Sequence, residues 1–236
     1  MEDALLAWYA RHGRDLPWRE TRDPYAILVS EVMAQQTQVA RVVPRWEEWL
    51  ARWPTVEALA DAPLAEVIRA WQGLGYNRRA VSLHRAATIV ARDGWPDDLT
   101  SLPGVGRYTA DAVAAFAFGR EVLPADVNVR RVVERTGASF SPAAGQALMD
   151  LGATVCLARV PRCGACPLAH RCPSRGRRYE PLRRQGPLEG SFRQRRARAL
   201  RAVAAGATAV DDADAVESLA RDGLVCVAGG RVTLPE

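Results

Sequence analysis

Four cysteines fall within 17 residues, spaced Cys156-x6-Cys163-x2-Cys166-x5-Cys172. Four thiolates this close, with a CxxC among them, form a metal-binding donor set that both zinc and a [4Fe–4S] cluster accept. Four-thiolate zinc sites usually pair two CxxC knuckles. The outer spacings here are six and five, which favours iron–sulfur. Unrelated buried cysteines are the bland alternative, and a disulfide scaffold does not suit the interior of a cell. Cys226 stands alone and reads as structural.

Upstream lies Leu102-Pro103-Gly104-Val105-Gly106, between two helical patterns. Paired glycines let backbone N–H groups turn outward beside a helix N-terminus, whose dipole favours an anion such as a DNA phosphate. A plain interhelical turn would read the same way. Two carboxylates complete the set. Glu31 shares a helical face with Gln35 and Gln38 if the helix runs from 26 to 43, and such a stripe is also what a solvated face looks like. Asp126 precedes an apolar helical pattern, where an N-cap is the ordinary role. Glycosidic hydrolysis wants one carboxyl group as an acid and another to face an oxocarbenium-like centre.

The elements that must position these groups are helical. Apolar spacing predicts a helix over 1–12, a long run over 25–50 split by Pro44, and helices over 55–61, 63–72, 77–92, 107–118, 127–136 and 143–155. A loop-rich cysteine knot follows. The arginine-rich stretch 173–201 reads as a linker and then a helix. Residues 214–222 read as a helix, and 224–227 and 231–234 flank Gly229-Gly230 as a hairpin. A basic linker is expected at 176–190 and a small winged-helix-like module at 191–236.

The 236 residues carry a net charge of +5, with a pI near 9.2. That balance suits a polyanionic partner but equally a mildly basic soluble enzyme. All 32 basic residues are arginine, so no side chain can form a Schiff base with a sugar aldehyde; only the N-terminal amine can. No signal peptide and no membrane-length apolar run are read, so a cytoplasmic, nucleoid-associated protein of bacterial type is expected.

The chain resembles the helix–hairpin–helix (HhH-GPD) iron–sulfur DNA glycosylases, most closely the MutY-type adenine DNA glycosylases. The resemblance is carried by Leu16-Pro17-Trp18-Arg19, Ser30 to Val39, Trp71-Gln72-Gly73-Leu74-Gly75-Tyr76, Leu102 to Thr109, Asp126 to Val132 and Met149-Asp150-Leu151-Gly152-Ala153, then the cysteines. It covers about residues 1–175 and implies an all-α, two-lobed fold, with an iron–sulfur lobe from 1–20 and 127–175 and a six-helix lobe at 21–126. It implies that Glu31 protonates N7 of adenine and helps generate the nucleophilic water, and that Asp126 stabilises the cation at C1′. Tyr108 would stand beside that sugar. Gln35 and Gln36 would contact and wedge the duplex, and Trp18 and Arg19 would line the base pocket. Leu102, Gly104, Gly106 and Asn128 fall in DNA-contacting motifs. Cys156, Cys163, Cys166 and Cys172 would hold a [4Fe–4S] cluster. The implied partner is double-stranded DNA with a mismatch or lesion, met by a monomer.

Endonuclease III-like relatives carry a lysine where Tyr108 stands, which implies a monofunctional glycosylase here. The chain departs from the family pattern in a short span between Asp126 and Cys156, a short stretch 94–101, and Val127 where a small residue is usual. The tail 185–236 is too short for the Nudix-like domain that helps MutY-type enzymes read 8-oxoguanine. Two alternatives stay open: a thymine or uracil glycosylase acting opposite guanine, and a non-catalytic DNA-binding or redox-sensing relative.

Overall fold

The computed structural model describes residues 1–180 and 186–236; Arg183 and Arg184 of the expected linker lie outside them. The chain forms two compact units, Met1–Ile27 with Gly106–Arg184, and Leu28–Val105 with Gln185–Glu236.

The first unit contains α1 (Glu2–His12), α7 (Arg107–Phe116), α8 (Val127–Thr136) and α9 (Gly145–Thr154), followed by the cysteine loop. Helix α8 is amphipathic and buries Val129 and Val132 against Leu148 and Leu151 of α9 and Leu5 and Trp8 of α1. Asp126 caps its start, and Gly137, left-handed at φ 64°, ends it. Gly152 sets how closely α8 and α9 approach. A Cβ there would lie 2.6 Å from Asn128 Cβ and 2.9 Å from the Asn128 carbonyl oxygen.

The second unit contains α3 (Val39–Arg52), α4 (Val56–Ala60), α5 (Leu64–Ala70) and α6 (Arg78–Asp93). Its core stacks Trp49 edge-on against Trp53 at 4.7 Å and Trp71 at 5.4 Å. The C-terminal residues belong to the same unit. Helices α10 (Phe192–Ala204) and α11 (Ala213–Arg221) bury Leu200, Val203 and Leu219 together with Ile68 of α5 and Val81 of α6. Strands β1 (Cys226–Ala228) and β2 (Arg231–Thr233) pair antiparallel, Ala228 opposite Arg231. Gly229 and Gly230 both have positive φ, as a two-residue type I′ turn requires. Val232 packs into this core, while Cys226 is exposed on its strand.

Helix α2 (Pro24–Ala34) carries Glu31, and here the structure differs from the helical pattern. The run does not break at Pro44. It breaks at 35–38, where Thr37 N donates to the Ala34 carbonyl and Gln36 is left-handed at φ 55°. Pro44 sits inside α3, because burying Val42, Trp46 and Trp49 outweighs one lost ladder hydrogen bond. Glu31, Gln35 and Gln38 therefore do not share one continuous helical face.

Candidate active site and thiol cage

Asp126 is where the first unit gathers its polar groups. Its Oδ1 accepts from the backbone N–H of Asn128 (2.8 Å) and Val129 (2.7 Å), closing the α8 N-terminus. Its Oδ2 accepts from Asn128 Nδ2 at 2.7 Å. The Oδ1 of Asn128 in turn accepts from Arg131 Nη2 at 2.6 Å. Arg131 also donates from Nε to the Cys156 carbonyl (2.7 Å) and from Nη2 to the Gly152 carbonyl (2.6 Å). Burial lowers the Arg131 pKa, and the neighbouring Cys156 partly offsets that. The ordinary N-cap reading of Asp126 is thus correct as geometry. It also leaves a carboxylate steered by three donors at an exposed helix end, beside Val127, which is 74% exposed.

The four cysteines line one pocket together with Val132, Leu151, Val155 and Leu168. Among the described residues no three His, Cys, Asp or Glu side chains converge on a single-ion site. All four cysteines instead border the same pocket. Burial pushes the Cys166 thiol up, and the other three cysteines add to the shift, as mutual neighbours should. Donors from the protein reach the sulfurs. Gly176 N–H lies 3.3 Å from Cys163 Sγ, and Arg135 Nη1 lies 3.5 Å from Cys156 Sγ. Arg135 is buried, bonded to the carbonyls of Leu157 (2.7 Å) and Ala158 (2.6 Å), with its guanidinium 3.7 Å from the Tyr179 ring centre. Four soft thiols around an apolar cavity with N–H donors aimed at sulfur are the donor set that an iron–sulfur cluster takes.

Arg19 and Asp150 form a second constellation in this unit. Asp150 is fully buried. It accepts from Arg19 at 2.8 and 3.0 Å, and from the Arg14 backbone N–H and Nε at 2.8 and 2.7 Å. Burial raises its pKa, but these donors outweigh it and hold the carboxyl below the usual range. Tyr108, on the first turn of α7, is half-buried against the α8–α9 core, and Trp18 is half-buried beside Arg19.

In the second unit Glu31 is half-buried on α2, Gln35 half-buried, and Gln36 exposed. Leu102 and Val105 are buried. Between them Gly104 has φ 77°, and a Cβ there would lie 2.7 Å from Ser82 Cβ, so both shape and space demand glycine. Gly106 is the N-cap of α7.

Sequence reasoning assigned no role to Asp150, Arg131, Arg135 or Arg79. The i, i+3 spacing of Asn128 and Arg131 was a readable signal; the partners of the others lie far away in sequence.

Residues 29–149 match the model of the HhH-GPD superfamily base excision DNA repair proteins. The chain is 45% identical to an adenine DNA glycosylase of Mycobacterium tuberculosis, over 98% of this chain and 92% of that one. It is 41% identical to the human adenine DNA glycosylase over 80% of this chain and 42% of that one. Among solved structures it is similar to a thermostable thymine-DNA glycosylase, with a TM-score of 0.66 and 28% identity, covering 73% of this chain and 93% of that one. A non-covalent endonuclease III–DNA complex shares the fold, with a TM-score of 0.64 and 24% identity over 73% of this chain and 92% of that one.

Proposed function

Because the chain belongs to the HhH-GPD superfamily of base excision DNA repair proteins, we propose that it is a monofunctional DNA glycosylase. It hydrolyses the N-glycosidic bond of adenine mispaired with 8-oxoguanine or guanine. The observation that carries this reading is the similarity to adenine DNA glycosylases along nearly the whole chain, whose sequence contains both Glu31 and Asp126. The Mycobacterium tuberculosis adenine DNA glycosylase matches at higher identity and over more of this chain than the thymine-DNA glycosylase structure does.

In this reading the adenine nucleotide is extruded from the stack, since its glycosidic bond is unreachable within it. The Glu31 carboxyl gives its proton to N7. The C1′–N9 bond then breaks with its electron pair passing to the base, and the Asp126 carboxylate faces the sugar cation. A water adds to C1′ and returns a proton to Glu31, so the products are adenine and an intact abasic strand. Tyr108 stands beside the sugar. Trp18 and Arg19 stand in the pocket wall, Arg19 with its guanidinium held by Asp150. Gln35 and Gln36 contact the duplex, and the 102–106 hairpin, with Asn128 beyond it, meets phosphate.

Cys156, Cys163, Cys166 and Cys172 would hold a [4Fe–4S] cluster. When bound, such a cluster supplies a cross-link between the cysteine loop and the end of α9. No described helix is long and apolar enough to cross a membrane, and the reading places a monomer in the bacterial cytoplasm, at the nucleoid.

The test is incubation of the protein with duplexes bearing A·8-oxoG, A·G, T·G and U·G, followed by alkali to reveal abasic sites. Adenine release from the first two is expected. Release of thymine or uracil alone would move the assignment to the mismatch enzymes, and no release at all to a non-catalytic relative.

A further inference from the structure

Arg79 lies on the first turn of α6, outside every motif that carries the family resemblance. Its Nη1 donates to the carbonyls of Val32 (2.7 Å), Met33 (3.0 Å) and Gln35 (2.6 Å), at the C-terminal end of α2 and just beyond it. Its Nη2 donates to the Gly75 and Leu74 carbonyls (2.9 and 3.2 Å) and to the Thr37 hydroxyl (3.1 Å). Its Nε reaches the Tyr76 carbonyl at 3.3 Å. The guanidinium also lies over the rings of Trp71 and Tyr76, at 5.2 and 5.7 Å. One side chain thus joins the end of the Glu31 helix, the 35–38 turn and the 72–77 loop.

Those two loops share a second property. Among the described residues, Gln36 (φ 55°) and Tyr76 (φ 46°) are the non-glycine residues with positive φ. Both are exposed, Tyr76 by 48%. A left-handed conformation is strained for a non-glycine residue and persists only where the surroundings over-determine it. The carbonyls that flank both residues are the ones Arg79 binds. Gly73 and Gly75, also at positive φ, let the second loop fold back onto it, and Trp71 Nε1 donates to the Gly75 carbonyl at 3.1 Å.

We infer that Arg79 is a positioning residue that locks the 35–38 and 72–77 loops, and the strained Gln36 and Tyr76 within them, in register with the Glu31 helix. A cation at a helix C-terminus also satisfies orphan carbonyls, which a purely structural cap would do. The coupling of two loops that both present a strained, exposed side chain goes beyond a cap. The charge is buried at some cost, since burial pushes the Arg79 pKa down to about 10. The same burial would drive a lysine ammonium toward neutrality, and an ammonium lacks the planar fork that reaches acceptors on both sides. Arginine is therefore specifically required.

The consequence for base release rests on the glycosylase reading above; the consequence for the loops does not. Two measurements separate them. In hydrogen exchange followed by mass spectrometry on the free protein, Arg79→Ala is expected to speed exchange in peptides spanning 35–41 and 72–78 while leaving α8 and α9 unchanged. In single-turnover base release from an A·8-oxoG duplex under saturating enzyme, Arg79→Ala should lose roughly 100-fold, the cost of about 1 Å of misplacement. Methylguanidinium should recover part of that rate, and Arg79→Lys should not restore it. If Arg79→Ala folds poorly, Arg79→Gln carries the same exchange comparison.

Unchanged exchange in the two loops would overturn the inference. So would uniform loosening of the whole chain, or a folded Arg79→Ala that releases adenine at the parent rate. If the parent protein releases no adenine while the two loops still loosen in the variant, the glycosylase reading fails and the clamp stands.

Discussion

Asn128 donates from Nδ2 to the Oδ2 of Asp126 at 2.7 Å, while its own Oδ1 accepts from Arg131 at 2.6 Å. Arg131 ends on the Cys156 carbonyl. The carboxylate proposed to face the sugar cation is therefore joined by two side chains to the first residue of the thiol cage. Asp126 is at once the N-cap of α8 and a fixed charge at its open end, and these two roles can be separated by mutation.

Asparagine caps a helix as well as aspartate does. Asp126→Asn should therefore keep the helix cap and duplex binding, losing only the hydrogen bond from Asn128 Nδ2, about 1 kcal/mol, yet abolish base release. Glu31→Gln should likewise keep duplex binding and abolish base release. Cooperating catalytic groups give non-additive losses, so the double variant should be little worse than either single one in single-turnover rate. Parent-like turnover by Asp126→Asn would leave this residue as a cap alone.

Gly152 supports the same site from α9. Its missing Cβ is the space occupied by Asn128, whose Cβ and backbone would be met at 2.6–3.0 Å. Backbone cannot rotate away, so Gly152→Ala must push α8 off α9. A loss of about 1–3 kcal/mol is expected, or roughly 2–4 °C of melting temperature per kcal/mol for a chain of this size. Base release should fall as well, because Asn128 moves with α8. An unchanged melting curve would show that the two helices can part without strain.

Asp150 makes a pH prediction. Its folded pKa lies below its unfolded value, because donors from Arg19 and Arg14 outweigh the effect of burial. The stability it contributes is thus present above the ordinary carboxylate range and lost as pH falls through the lowered folded value. Asp150→Asn leaves two guanidinium groups short of a partner and should cost on the order of 3 kcal/mol at neutral pH. The variant should also lose less stability than the parent between about pH 5 and pH 2. Denaturant melts across that range check both signs; parallel curves would mean that the ion pair is not linked to folding.

Much of this arrangement was legible because it is local. Asp126 as a cap, the helix over 127–136, and the Gly229-Gly230 hairpin each depend on a few neighbouring residues whose chemistry decides the backbone. The break after Ala34 was not legible. No glycine or proline marks it, and it depends on Arg79, forty-odd residues away in sequence. Pro44 misled for the converse reason. Its local cost is real, but the tertiary burial of Val42, Trp46 and Trp49 exceeds it. Asp150 stands in a motif that was recognised, yet its partners Arg14 and Arg19 lie more than a hundred residues earlier, where no spacing rule reaches.

The thiol cage should be structural. Protein isolated without air is expected to carry about four irons per chain with broad visible absorption, as four thiolates around a [4Fe–4S] cluster require. Cys156→Ser should lower the folded yield before it alters chemistry, because this residue closes α9 and its carbonyl anchors Arg131. Stoichiometric zinc without iron would replace the cluster assignment with a zinc site.

Strand cleavage tests composition and mechanism together. A lyase needs an amine that forms an imine with the ring-opened sugar, expelling water, before the 3′ phosphate can leave by elimination. The chain has no lysine, and the phenol of Tyr108 forms no stable imine. Borohydride should therefore trap little protein on an abasic duplex, and nicks should appear only after alkali. Weak trapping through the amine of Met1 should vanish once that amine is acylated. Efficient nicking that survives acylation would mean that another nucleophile opens the sugar, and the assignment of a purely hydrolytic reaction to Glu31 and Asp126 would fall with it.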